Sequence, residues 1–170
     1  MSEPYNNWER FYHRFNLIFH GIIAGSLLPF AFVFLETQKE FPDAPLIEGM
    51  ESMVIKMLLV VLAGVLIFLA QSYRKTVISE VQALSDIKEK LDLYLSKKLI
   101  QYGILAGAAV AGLLGLYLTK DQLFSFVFVV VLFVFSLVRP TFDRVSAEIG
   151  VGSKDLQEWG RGSGESDDKS

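Results

Sequence analysis

The chain has 170 residues, a net charge of -3, no cysteine, two histidines and 52% hydrophobic residues, and the apolar residues fall in blocks too long for the helices of a soluble domain. The missing cysteines exclude disulfides, thiolate-held zinc or iron–sulfur clusters and dithiol chemistry, and His13 and His20 alone cannot supply axial pairs for several haems. A mild charge shared between both ends gives no sign of nucleic-acid binding, and neither a metal nor a cofactor site is expected.

Four blocks approach the roughly 20 apolar residues that cross a hydrocarbon core of about 30 Å. They run from Phe15 to Leu35, Met53 to Ala70, Leu99 to Leu118 and Leu123 to Val138. Backbone groups in lipid must be satisfied within each segment, so all are expected to be helices. The fold class is thus all-α: a four-helix transmembrane bundle occupying residues 15–138, with a helical hairpin between its second and third spans.

Residues 1–14 carry Trp8, Phe11 and Tyr12, which with Phe15 form an amphipathic aromatic face suited to the lipid interface. Ser2, Glu3 and Glu9 precede the first apolar block, and that block is long enough to stay in the membrane, so no cleavable signal peptide is expected. The first span holds His20, a Gly21/Gly25 step and Pro29, whose missing N–H frees the Gly25 carbonyl. His20 lies one to two turns inside the membrane, where an ionisable group is a functional candidate. It reads either as an imidazole bonded to a neighbouring helix or to interfacial water, or as part of a proton relay with Gln71, Ser72, Gln101 or Tyr102.

The loop from Glu36 to Ser52 is acidic and contains a single lysine, Lys39. In the second span Lys56 stands near the outer end, where its long stem can snorkel to the headgroups; anchoring and substrate binding are the alternatives. Residues 72–98 are basic, with Arg74, Lys75, Lys88, Lys90, Lys97 and Lys98, so the positive-inside rule makes this loop cytoplasmic. Arg10, Arg14, Arg139 and Arg144 put both chain ends on the same side.

Within that loop Val77, Val81, Leu84, Ile87, Leu91 and Tyr94 recur at helical spacing, and Asp86 followed by Glu89 resembles a capping box. A hairpin turning at Ser85 and Asp86 sets Val77 level with Tyr94 and Arg74 level with Lys97; a single amphipathic helix lying on the membrane is the alternative. The third span places Gly103, Gly107, Ala111 and Gly115 on one face, beside Gln101 and Tyr102 at its start. Together with Gly21 and Gly25 these small residues allow close helix approach, either inside one bundle or at an oligomer seam. The fourth span is Phe- and Val-rich and is expected to face lipid. Residues 139–159 read as an amphipathic cytoplasmic segment and 160–170 as a disordered tail.

His20-Gly21-Ile22-Ile23-Ala24-Gly25 parallels Tyr102-Gly103-Ile104-Leu105-Ala106-Gly107, and Val77-Ile78-Ser79-Glu80-Val81 parallels Val145-Ser146-Ala147-Glu148-Ile149. The pattern suits a parallel duplication of a two-helix hairpin. Leu118-Thr119-Lys120-Asp121, the last span, and Leu137-Val138-Arg139-Pro140-Thr141 on to Arg144 resemble a group of small four-span membrane proteins of Bacteroidetes-type bacteria. That resemblance implies a multi-pass protein of the bacterial cytoplasmic (inner) membrane.

No nucleophile, base and orienting group share one depth, and no span contains Asp or Glu, so neither an enzyme nor carboxylate-driven ion coupling is expected. The expected function is assembly in the lipid bilayer, as a homo-oligomer or as an accessory or scaffold subunit beside other membrane subunits. The alternative is a pore or small transporter at an oligomer axis, with His20, Gln101 and Tyr102 as lining candidates.

Overall fold

The structure is a computed structural model that describes residues 7–39, 44–152, 154–156 and 158, the side chains of 7–10 excepted. The tail 160–170 and the side chains of Trp8 and Trp159 lie outside the described residues. Every regular element described is an α-helix: α1 (Asn7–Thr37), α2 (Gly49–Gln82), α3 (Ile87–Thr119), α4 (Leu123–Leu137) and α5 (Phe142–Ile149).

The described part of α1 from Phe11, with α2 and α3, supplies 27, 34 and 33 residues, each stretch long and apolar enough to cross a membrane. The 15-residue α4 is shorter and reaches a spanning length only together with α5, which it meets at 70°. Leu28, Phe32, Phe68 and Phe126 are each 70% exposed. Water would penalise such surface, whereas hydrocarbon solvates it. The chain is therefore a multi-pass membrane protein.

The hub is α3, with half of its apolar stretch buried against 11% for α1 and 17% for α2. Along α2 it packs as an antiparallel hairpin, Val77 and Val81 of α2 and Leu91 and Tyr94 of α3 being buried. The turn between them is short because Asp86 caps α3, its carboxylate accepting the Glu89 N–H at 3.1 Å. Gln101 Nε2 donates to the Ala70 carbonyl at 3.0 Å, which holds the two helices in the same register further along.

On its other side α3 receives α1 through aromatic rings. Phe15 lies 5.9 Å from Tyr94 and 6.0 Å from Tyr102, and Phe19 lies 5.0 Å from Tyr102, measured between centroids. Residues 7–14 are continuous with the first span as the opening turns of α1, which also runs on unbroken through Pro29. The fourth block departs from its expected lipid-facing character, since Phe124, Phe128, Val131 and Phe135 are buried on one face of α4. Phe128 stacks on Phe30 of α1 at 3.7 Å, and Phe124 covers Gly115 of α3. Uniform hydrophobicity conceals such a face, because a Phe against protein and a Phe against lipid look alike in sequence.

At one end of the bundle the 44–48 segment is pinned to α3, the N–H groups of Leu46 and Ile47 both donating to the Leu118 carbonyl. At the opposite, hairpin end, Pro140 stops α4 and α5 turns across the bundle, burying Val145 and Ile149. Gly150 ends α5 with a positive φ of 69°, a conformation that costs glycine little, against the side chain of Gln82.

Candidate functional site

The polar centre of the molecule lies where α5 meets the hairpin. Val145 and Ile149 turn one face of α5 inward, and Glu148, three residues after Val145, is carried in with them. Its side chain, 5% exposed, meets cations from three helices. Lys98 Nζ of α3 stands 2.8 Å from Oε2, Arg74 Nη2 of α2 stands 2.9 Å from Oε1, and Arg144 Nε of α5 stands 3.5 Å from Oε1. Tyr94 OH donates to Oε2 at 2.8 Å and Arg74 Nε to Oε1 at 3.0 Å. Burial alone would raise the Glu148 carboxyl; Lys98, Tyr94 and Arg74 hold it below the ordinary glutamate range instead.

The end of α5 is fastened by the same hairpin. Gln82 Nε2 donates to the Glu148 carbonyl at 3.2 Å and Lys90 Nζ to the Ile149 carbonyl at 3.4 Å, so donors from outside satisfy carbonyls that the helix leaves open. Arg144 Nη1 donates to the Leu137 carbonyl at the end of α4. A buried ion repays its desolvation only with this quality of pairing. The arrangement is a charge clamp joining four helices.

The sequence pattern does not single out Glu148. Its signal was present, however: an acidic residue on the apolar face of a short amphipathic helix, in a chain whose third span begins directly after two lysines. Carboxylates that dock beside the spans leave no trace in the composition of the spans themselves.

The predicted residues fall into separate places. His20 is exposed; its Nδ1 donates to the Asn16 carbonyl of its own helix at 2.8 Å and its ring packs edge-on to Phe19. It is thus not brought together with Gln101 and Tyr102, which are wholly buried. Tyr102 OH donates to the Val138 carbonyl at 3.3 Å, and Gln101 keeps a buried, unpartnered Oε1. Lys56, read as a snorkelling anchor, has a protein partner: its Nζ stands 2.6 Å from Asp121 Oδ2 in the turn before α4. That lysine and the Leu123 N–H hold the Asp121 carboxyl below its usual range.

Internal packing holds for only part of the small-residue set. A Cβ on Gly115 would stand 2.2 Å from the Phe124 ring, Gly107 faces Leu66 at 3.5 Å, and Ala111 is buried. Gly21, Gly25 and Gly103 are not packed inside the bundle, because among the described residues a Cβ on any of them would meet nothing from another helix within 4 Å. The GxxxG step and the start of the α3 row face outward because α1 is attached through its Phe15, Phe19 and Phe30 side instead.

No protein family, curated protein or solved structure matches this chain.

Proposed function

We propose that this protein is a non-enzymatic, four-span component of a bacterial cytoplasmic membrane, with both termini and the α2–α3 hairpin in the cytoplasm, that acts by assembling with copies of itself or with other membrane subunits. The observation that carries this reading is the outward position of Gly21, Gly25 and Gly103. On α3 Val110, Leu114 and Tyr117, at four- and three-residue spacing, are exposed as Gly103 is. Lipid tails are as apolar as leucine, so helices associate in a bilayer by close backbone approach and dispersion, which small residues permit.

A parallel duplication fits the same reading. Glu80 and Glu148 hold matching places in the two echoed segments, and each pairs with one of two adjacent lysines: Glu80 with Lys97 at 2.8 Å and Glu148 with Lys98 at 2.8 Å. A pore at an oligomer axis draws less support, since Gln101 and Tyr102 are enclosed by the chain's own helices.

The test is Gly25→Leu. Among the described residues nothing outside its own helix turn lies within 4 Å of a Cβ at this position, so the monomer should fold and melt as the wild type does. The assembly, isolated from native membranes and weighed intact, should shrink or lose subunits. An unchanged mass for Gly25→Leu and for a Gly103→Leu variant would sink the assembly reading.

A further inference from the structure

The clamp around Glu148 is unbalanced. Lys98, Arg74 and Arg144 bring three positive charges to one carboxylate. Lys98, with its side chain 2% exposed, is spent inside the clamp, whereas Arg74 and Arg144 are each 31% exposed, so the surplus charge reaches the surface through the two guanidinium groups. Both approach the same oxygen, Oε1, at 2.9 and 3.5 Å, which makes them neighbours. Like charges gathered in this way repel, and a second anion relieves the repulsion. Among the described residues no other carboxylate pairs with either arginine, and no acceptor meets Arg74 Nη1 or Arg144 Nη2.

The position of the pair identifies the anion. Arg74 stands one turn beyond Ala70, where the apolar part of α2 gives way to the polar hairpin, and Arg144 reaches back to the last residue of α4 while α5 lies across the bundle end at 70°. With α2 spanning the bilayer, that boundary falls at the level of lipid phosphates. A guanidinium is a planar fork that matches two phosphate oxygens, which an ammonium cannot do. We infer that Arg74 and Arg144 form a recognition site for a phosphate group carrying net negative charge, supplied by the headgroup of an anionic phospholipid. The inference rests on the membrane placement of the hairpin end, which cysteine labelling tests independently, and not on the assembly reading.

The full chain, purified in neutral detergent, would be titrated with phosphatidylglycerol, with zwitterionic phosphatidylcholine, and with inorganic phosphate, while its melting temperature is followed. Phosphatidylglycerol should raise the melting temperature where phosphatidylcholine does not. Arg74→Gln and Arg144→Gln should each weaken the apparent affinity by about tenfold, the scale of one lost charge-assisted hydrogen bond. Arg74→Lys, which keeps the charge but not the fork, should also weaken it. Each variant is judged by the shift between the two lipids, so a lower starting stability does not obscure the result. Lys75→Gln removes an exposed charge from a residue beside the pair and should leave the shift intact. Stabilisation by inorganic phosphate alone, lost in the same variants, would keep the phosphate site and make its source soluble. An equal loss in Lys75→Gln, or no difference between the two lipids together with no response to phosphate, would overturn the site.

Discussion

Glu148 shows how much one side chain can hold when it is buried with good geometry. Removing one member of a buried ion pair leaves the other uncompensated, at a cost of about 3–5 kcal/mol. Glu148→Gln should therefore destabilise strongly through Lys98, whose side chain is 2% exposed, and pairing it with Lys98→Met should recover much of the loss because no bare ammonium remains inside. Thermal melts of the two variants in one detergent check this. The pH dependence has a definite sign. Burial pushes the carboxyl up, but Lys98, Tyr94 and Arg74 bring it below the ordinary range, so the folded state favours the ionised form. The clamp's contribution should be complete above the ordinary glutamate value of about 4.3 and should fade as the pH drops through the lower folded value. A wild-type melt that drops below about pH 4 by more than that of Glu148→Gln is the expected result; equal acid sensitivity would show that another group controls it.

The helices separate what the residue pattern made legible from what it did not. Spans and hairpin follow from block length, from spacing and from the Asp86 cap, each a local property, and α2 and α3 lie on those segments. The inner faces depend on partners. Gly115 and Gly103 belong to one row of small residues, yet a Cβ on the first would enter the Phe124 ring at 2.2 Å and one on the second would meet nothing within 4 Å. No periodicity could assign them, because the assignment depends on which helix lands beside α3. The same limit hid Glu148, a residue distant in sequence from Lys98 and Arg74. Gly115→Ala should cost about 1–3 kcal/mol, because the buried Phe124 ring has to move, while Gly103→Ala should carry no such penalty within the chain. Similar melts for both would show that Phe124 does not pack over Gly115.

At the scale of the whole molecule, connectivity bears on the proposed fourth crossing. The turn after α3 lies at the end where Leu46 and Ile47 meet Leu118 and Lys56 meets Asp121, and the clamp fastens α5 to the hairpin at the other end. Therefore α4 must travel the length of the bundle. Its 15 residues reach only about 22 Å, short of the roughly 30 Å hydrocarbon core. The shortfall can be met by local thinning of the bilayer, with α5 drawn in towards the headgroups and its arginines reaching out, at a modest energy per ångström. Since the chain has no native cysteine, single cysteines report position cleanly. Three exposed positions suffice: Ala44, Ser85 and Lys154. With α4 as a crossing segment, Ser85→Cys and Lys154→Cys should behave alike towards an impermeant reagent in intact cells, both reacting only after lysis, whereas Ala44→Cys should react at once. Reaction of Lys154→Cys in intact cells beside a protected Ser85→Cys would place the end of the chain across the membrane from the hairpin. Arg74 and Lys98 could not then reach Glu148, and the clamp, the fourth span and the phosphate site would fall together. Reaction of Ser85→Cys and Lys154→Cys with Ala44→Cys protected would reverse the orientation and leave the bundle and its clamp intact.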